Sequence, residues 1–148
     1  MPVVRRTLEV ATPPALVWRF LADYTSAEEW HPPVVSAIRI SGDGGVGTTY
    51  HHVARFDGQE TEIDYVVTDA VEQRLLVLQA ATSAVTWCDT LHLAAAPHGG
   101  TRIGFQMEVA PRDGMPLAPV FHAPELEALA DLVAESLRDS LENLHQPS

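Results

Sequence analysis

The stretch PELEALADLVAESLRDSLENLH, residues 124–145, decides the fold because it is the only long uninterrupted helical pattern in the chain. Pro124 suits the first helical turn, where its missing N–H would have no partner. At about 1.5 Å per residue the helix would be about 30 Å long. An apolar stripe of that length needs a broad surface, and we expect a sheet. The stripe, with steps of three and four residues, comprises Leu126, Leu129, Ala130, Val133, Leu137, Leu141 and Leu144.

The chain before this helix is mostly a series of strand patterns separated by turn signals. A first strand over residues 3–10 is followed by a helix that opens at Thr12-Pro13-Pro14 and extends to about Tyr24. The capping-box spacing of Ser26 and Glu29 indicates a second, very short helix. Short turns between the six later strands predict an antiparallel meander in one α+β domain, residues 1–148. Those strands are predicted at residues 34–40, 47–56, 60–68, 74–80, 85–94 and 101–109.

Composition narrows the possible functions. The net charge of −11 disfavours nucleic acid and anionic membranes as partners, because phosphate binding needs a basic face. All nine basic residues are arginine, so imine chemistry on a lysine is excluded. The single cysteine, Cys88, excludes an internal disulfide. With neither a membrane-spanning run nor an apolar leader, we expect a cytoplasmic protein without membrane insertion.

A family resemblance covers the whole chain. The motifs that carry it are Ala15-Leu-Val-Trp18, Leu21-Ala-Asp23, Trp30-His31-Pro32, Gly47-Thr-Thr-Tyr50 and Gly100-Thr-Arg102, in this order before the terminal helix. In this combination the sequence resembles the polyketide cyclase/dehydrase branch of the START-like (SRPBCC) superfamily. The resemblance implies a helix-grip fold, in which a seven-stranded antiparallel sheet wraps around the long helix and two short helices follow the first strand. It also implies a deep apolar cavity that binds lipids, hormones or polyketides.

The period of two along each strand predicts which side chains face that cavity. Tyr50 and His52 share the more apolar face of residues 47–56, and Trp87 and Asp89 share the more apolar face of residues 85–94. Tyr65 is placed on the same side, although the two faces of its strand are nearly balanced. An imidazole and a carboxylate in an apolar cavity would have the perturbed pKa values that general acid/base catalysis needs.

The catalytic hypothesis is therefore that His52 and Asp89 act as base and acid on a bound carbonyl compound, while Tyr50 or Tyr65 hydrogen-bonds its oxygen. The structural alternative is that Asp89 pairs with an arginine or caps a bulge, and that His52 is a hydrogen-bonded core residue. Both interpretations fit the sequence.

Other residues are expected to bind the ligand. Trp30 and His31 would lie by the cavity mouth, although Trp30 could simply fill the core. Phe121, His122 and Met115, in the loop before the long helix, could form a lid, or the loop could be an ordinary connection. The expected apolar lining comprises Phe105, Met107, Leu129 and Val133.

No metal or cofactor is expected. His51 and His52 are adjacent on a strand and point to opposite faces, so they cannot hold one ion together. The sequence has no HxH or HExxH spacing and no Walker motif. The glycine-rich run Gly42-Asp-Gly-Gly-Val-Gly47 lacks the helix that a phosphate-binding loop must open.

Three functions fit these observations. The first is a cofactor-independent enzyme of natural-product biosynthesis that catalyses cyclisation and dehydration of a polyketide-like substrate. The second is a non-catalytic carrier or sensor of an apolar ligand, which needs the same cavity without an acid/base pair. The third is an interaction module that uses an exposed sheet face, and a homodimer is possible.

Overall fold

The computed structural model describes residues 3–56, 58–117 and 121–144. The chain forms one strand, two short helices, six strands and a long helix, in the order that the sequence predicts. Short 3₁₀ turns lie at Tyr24–Ser26 and Pro97–Gly99. The elements are β1 (Val3–Val10), α1 (Pro14–Leu21), α2 (Ala27–Trp30), β2 (Val34–Ser41), β3 (Thr49–Phe56), β4 (Gln59–Val71), β5 (Leu75–Ala81), β6 (Val85–Ala95), β7 (Thr101–Pro111) and α3 (Ala123–Glu142).

The strands form one seven-stranded sheet in the order β1-β7-β6-β5-β4-β3-β2, and each neighbouring pair is antiparallel. Strands β2 to β7 therefore form a meander, and β1 closes the other edge beside β7. The predicted α+β helix-grip fold is confirmed. Consecutive hairpins bring residues that are far apart in sequence into one row: Ala80 of β5 pairs with Tyr65 of β4 on one side and Trp87 of β6 on the other.

The long helix α3 covers the inner face of this sheet. Five of the seven predicted stripe residues are buried, with exposures of 0–1%, and the other two, Leu129 and Leu144, are partly buried against the core. At the β1 edge, Arg6 binds the side chains of Glu127 and Asp131 of α3 at 2.6 and 2.8 Å. The helix ends at Glu142, earlier than predicted, and His145 lies outside the described residues. The stripe residues that are fully buried are Leu126, Ala130, Val133, Leu137 and Leu141.

The helix after β1 is shorter than predicted, because it ends at Leu21 rather than near Tyr24. Asp23 adopts an extended backbone and its carboxylate accepts a hydrogen bond from the Thr25 N–H at 3.1 Å, which starts a separate 3₁₀ turn. Tyr24 is 1% exposed and its hydroxyl points into the core. Because α1 ends at Leu21, the hydroxyl of Tyr24 points toward the sheet.

The side-chain capping hydrogen bonds expected from Thr12 and Ser26 are absent from the described part of the chain, although Ser26 does occupy the N-cap position of α2. The Thr12 hydroxyl donates to the Leu141 carbonyl near the end of α3, at 2.7 Å, instead of capping α1. The Ser26 hydroxyl accepts from the Trp30 indole N–H at 3.0 Å instead of capping α2. In both cases a tertiary contact uses the side chain that local sequence assigned to a helix end.

Candidate functional site

A buried carboxylate lies at the centre of the sheet's inner face. Asp89 is 1% exposed. Its Oδ2 accepts a hydrogen bond from the Tyr24 hydroxyl at 2.5 Å, and its Oδ1 accepts one from the Trp87 indole N–H at 2.6 Å. Burial raises the pKa of Asp89 to about 6, although hydrogen bonds from Tyr24, Trp87 and Tyr65 oppose that rise. Asp89 is therefore a carboxyl group that can exchange a proton near neutral pH.

The fold explains how these groups meet. Trp87 and Asp89 are two residues apart on β6, so both point inward. Ala80 is the small residue between Tyr65 and Trp87 in the register, which leaves room for both aromatic rings. Tyr24 comes from the 3₁₀ turn, 65 residues earlier in the chain than Asp89. We call Tyr24, Tyr65, Trp87 and Asp89 the carboxylate cluster.

His52 lies beside this cluster but, unlike Asp89, has a ring nitrogen without a hydrogen bond among the described residues. Its ring stacks on Tyr24 at 5.2 Å between ring centres and lies 4.7 Å from the ring of Tyr65. Burial lowers the pKa of His52 to about 4, so the imidazole is neutral at pH 7. Its Nε2 atom has no hydrogen-bond partner among the described residues.

His31 and Tyr50 carry further buried polar atoms of this kind. His31 is 5% exposed, and neither of its ring nitrogens has a partner in the described part of the chain. Burial, with a smaller contribution from the nearby His52, lowers the pKa of His31 to about 3. The Tyr50 hydroxyl is likewise unpartnered among the described residues. A buried polar atom without a hydrogen bond costs about 1–3 kcal/mol of folding free energy. A ligand with a polar group that bonds to His31, His52 or Tyr50 would remove part of that cost.

One surface cleft leads toward these residues. It has a volume of about 530 Å³ and lies between α1, the β2–β3 loop and the β4–β5 turn. Tyr50 lines this cleft, and its ring contacts both Tyr24 and His52. Trp18, Arg19 and other residues complete the lining. Of the described residues with unpartnered polar atoms, His31, His52 and Tyr50, only Tyr50 lines this cleft.

A second groove, of about 570 Å³, lies on the opposite, outer face of the sheet. Its floor is made of small residues such as Ala81, Cys88 and Ala110, with Asp64 and Glu108 at its sides. Neither this groove nor the Tyr50 cleft is lined by Asp89 or His52.

An aromatic group covers the other end of the sheet. Phe121 contacts Trp87 and Phe56, with ring centres 5.4 and 5.7 Å apart, and it is 8% exposed. His122, by contrast, is exposed, and its Nε2 lies 3.1 Å from the Leu117 carbonyl oxygen. Met115 is 44% exposed. Of the three loop residues suggested as a lid, only Phe121 packs against the interior.

The predicted strand faces are confirmed by burial. Tyr50, His52, Tyr65, Trp87 and Asp89 are all 5% exposed or less and all lie on the inner face. Trp30 is fully buried, and its ring contacts Tyr24 and Phe105. The apolar residues expected to line a cavity belong to the packed core in three cases, Phe105, Met107 and Val133, whereas Leu129 is half-buried. Their roles in binding remain predictions.

Tyr24 is not among the site residues predicted from the sequence, in which it marks the approximate end of the first helix. The usable signal was Asp23, whose side chain favours a turn over a continuing helix. The hydroxyl of Tyr24 follows the end of the helix and faces the strand that carries Asp89. It can therefore donate a hydrogen bond to the Asp89 carboxylate.

The outer face of β3 holds a contrasting histidine. The Nδ1 atom of His51 lies 2.7 Å from the Asp64 carboxylate, and its Nε2 lies 3.3 Å from Glu62. The hydrogen bond with Asp64, followed by charge attraction to both carboxylates, raises the pKa of His51. Within residues 3–56, 58–117 and 121–144, no group of three His, Cys, Asp or Glu side chains is arranged to hold a metal ion. In the same ranges, no helix is long and apolar enough to cross a bilayer.

Comparisons with known proteins place this arrangement in context. Two solved structures are similar over nearly the whole chain. A START superfamily protein from Mycobacterium smegmatis matches with a TM-score of 0.76 at 14% identity, covering 97% of this chain and 99% of the other. The Zhui aromatase/cyclase from Streptomyces sp. R1128 matches with a TM-score of 0.75 at 16% identity, covering 95% and 91%.

A further solved structure, Ara h 8.0201, matches with a TM-score of 0.66 at 17% identity, covering 95% of this chain and 98% of that one. At these identities the likeness establishes the fold. A comparison with curated protein sequences gives no match. The family model for polyketide cyclase/dehydrase and lipid transport proteins matches residues 1–147. The chain therefore belongs to the polyketide cyclase/dehydrase and lipid transport family.

Proposed function

We propose that this protein binds an apolar, oxygen-bearing small molecule between the sheet and α3, and that it catalyses cyclisation and dehydration of a polyketide-like substrate without a cofactor. The observation that carries the proposal is that two buried groups contact the same Tyr24 side chain. They are Asp89, a carboxyl with a pKa of about 6, and His52, a neutral imidazole with a nitrogen that is unpartnered among the described residues. Family membership supports an apolar ligand.

The direction of the two pKa shifts favours a division of roles opposite to the one expected from sequence. The carboxyl of Asp89 holds its proton more tightly than the imidazolium of His52 does, so at pH 7 the Asp89 carboxylate is the stronger base. His52 and Tyr50 are then neutral hydrogen-bonding groups for a carbonyl or enolate oxygen. Tyr24 and Trp87 orient the carboxylate.

Asp89 can carry out each proton transfer that this reaction requires. The Asp89 carboxylate removes a proton from the carbon beside one carbonyl, and the resulting enolate carbon attacks a second carbonyl in the same molecule. The new alkoxide takes up the proton held by Asp89, which gives a hydroxy ketone. Removal of a second proton by Asp89, with loss of the hydroxyl as water, forms the double bond. Binding between the sheet and α3 contributes by holding the two reacting carbons of the substrate close together.

A non-catalytic carrier is the second candidate. The specific observation in its favour is that both Asp89 oxygens already accept short hydrogen bonds from Tyr24 and Trp87. A fully bonded carboxylate organises a binding pocket equally well without taking part in proton transfer.

Turnover of a simple diketone separates the two candidates. We expect the wild type to accelerate the conversion of 2,6-heptanedione to 3-methylcyclohex-2-enone and water. Mass spectrometry of the enone product measures the rate. Asp89→Asn should lower the rate by about a hundredfold or more, because the general base is lost. Asp64→Asn, which changes an exposed carboxylate on the outer face, is the matched control and should leave the rate unchanged.

The pH dependence of the reaction rate is an independent test of Asp89 as the base. Since the carboxylate form of Asp89 is required, the rate should fall as pH drops through about 6. A wild type that binds apolar ligands but never accelerates the reaction would support the carrier. Full activity in Asp89→Asn would contradict the assigned base.

A further inference from the structure

We infer that His31 forms a second polar subsite, which binds a neutral hydroxyl or enol group of the ligand and is separate from the carboxylate cluster. This inference rests on the proposed function, because it requires that an apolar ligand reaches the interior. It goes further by giving His31 a role in specificity and by stating the chemistry of the group that it recognises.

The backbone fixes the position of His31 without help from its side chain. The His31 N–H donates to the Ala27 carbonyl at 2.9 Å, and the His31 carbonyl accepts from the Val34 N–H at 2.9 Å. The imidazole is 5% exposed and lies edge-on to Trp30, with ring centres 5.7 Å apart. Neither ring nitrogen is bonded within the described residues. The ring therefore adds no hydrogen bond to the fold that the structure describes.

A neutral imidazole offers one N–H donor and one nitrogen acceptor. Burial keeps both His31 and His52 neutral at pH 7, since it lowers the pKa of each far below that pH. A hydroxyl or enol both donates and accepts, so it complements either tautomer. A ketone oxygen only accepts, and would satisfy only the tautomer that points its N–H toward the ligand.

The charge distribution disfavours an anionic group at this subsite. A carboxylate would need a buried cation, but none of the nine arginines is buried: eight are exposed, and Arg6 is half-buried in its ion pairs with Glu127 and Asp131. The buried Asp89 carboxylate would also repel a second negative charge. The interior should thus accept a phenol and reject the corresponding acid.

A role for His31 in ligand binding predicts a change in stability that a structural role would not produce. An unpartnered buried imidazole opposes folding, so an apolar side chain of similar size should be tolerated or favoured at this position. His31→Leu should therefore raise the melting temperature while it weakens ligand binding. If His31 served the fold, the same substitution would lower the melting temperature.

The experiment compares three probes at pH 7 by isothermal titration calorimetry: 2-naphthol, naphthalene and 2-naphthoate. In the wild type, we expect 2-naphthol to bind about tenfold more tightly than naphthalene, as one additional hydrogen bond allows, and 2-naphthoate to bind more weakly than either. In His31→Leu the preference for 2-naphthol over naphthalene should fall to within about twofold, with naphthalene affinity retained. His51→Leu, on the outer face, is the matched control and should keep the wild-type preference.

The outcomes are distinguishable. A wild type that binds naphthalene and 2-naphthol equally would overturn the His31 subsite and leave the proposed interior site intact. Retention of the tenfold preference for 2-naphthol in His31→Leu would also overturn the subsite and leave the proposed interior site intact. A wild type that binds none of the three probes would contradict both the subsite and the proposed function.

Discussion

His51 and His52 are neighbours on β3, yet the two sides of the sheet give them opposite properties. His51 faces outward between the carboxylates of Asp64 and Glu62, which raise its pKa. His52 faces inward among Tyr24 and Tyr65, where burial lowers its pKa to about 4. The period of two along a strand thus converts two identical side chains into a surface charge partner and a neutral interior group. Burial on the inner face disfavours the charged form of each group, which lowers the pKa of His52 and raises the pKa of Asp89.

The aspartates show the same contrast. The side chain of Asp64, on the outer face of β4, is 81% exposed. Asp89, on the inner face of β6, is 1% exposed and accepts hydrogen bonds from Tyr24 and Trp87. Substitutions on one face and matched substitutions on the other therefore test whether the contrast is real.

The largest expected effect is on acid stability. His31 and His52 have folded-state pKa values of about 3 and 4, below the usual value of 6.5, so the stability associated with them is present above pH 6.5 and is lost as pH falls toward 4. The double variant His31→Leu/His52→Leu should remove this loss, which amounts to roughly 6 kcal/mol between pH 7 and pH 4. Urea unfolding at both pH values measures it.

The matched control for that experiment is His51→Leu. Because the folded-state pKa of His51 is raised, its contribution has the opposite sign: it is present below pH 6.5 and lost as pH rises through the raised value. Its partners are mostly exposed, so the effect should be small. Equal acid sensitivity in the wild type and the double variant would show that the inner imidazoles are not neutral in the folded protein.

A smaller effect of opposite sign is expected at Asp89. Its folded-state pKa of about 6 exceeds its usual 3.8, so the associated stability is present below pH 3.8 and is lost as pH rises through 6. Asp89→Asn should therefore gain about 2–3 kcal/mol relative to the wild type between pH 4 and pH 7. Urea titrations at the two pH values give this difference, and Asp64→Asn serves as the control. A constant difference between Asp89→Asn and the wild type would argue against a raised pKa.

The smallest effect should come from the outer pair. Asp64→Asn removes the carboxylate that bonds to His51, so the pKa of His51 should fall back toward 6.5. Exposed ion pairs contribute about 0–1 kcal/mol, and the change in unfolding free energy should lie within that range. Proton NMR of the His51 ring during a pH titration measures the first quantity, and urea unfolding the second. A loss above about 2 kcal/mol would mean that the outer face is as sensitive as the inner one.

Much of this arrangement could be predicted from the sequence because it depends on local periodicity. The alternation along β3 and β6 placed His52, Trp87 and Asp89 on the inner face, and the three- and four-residue spacing of Leu126, Leu137 and their neighbours predicted the buried stripe of α3. A sheet face and a helix stripe are properties of short windows of sequence.

The partners within the site could not be predicted in the same way. Tyr24 reaches Asp89 across 65 residues, and only the Asp23 turn aims it there. Thr12 bonds to the Leu141 carbonyl, and Ser26 bonds to the Trp30 indole. These contacts replace the capping hydrogen bonds that the positions of Thr12 and Ser26 in the sequence suggest. Periodicity gives the face of a residue, whereas a hydrogen-bond partner depends on how separate elements pack.

The most direct test of the central claim, that the inner imidazoles are neutral groups held ready for a ligand, is a two-bond ¹H–¹⁵N NMR spectrum of the histidine rings at pH 7, recorded with and without 2-naphthol. We predict that His31 and His52 show neutral single-tautomer patterns and that both shift on addition of 2-naphthol, while His51 keeps its resonance position. Protonated patterns for His31 and His52 in the free protein, or a ligand response confined to His51, would contradict the account.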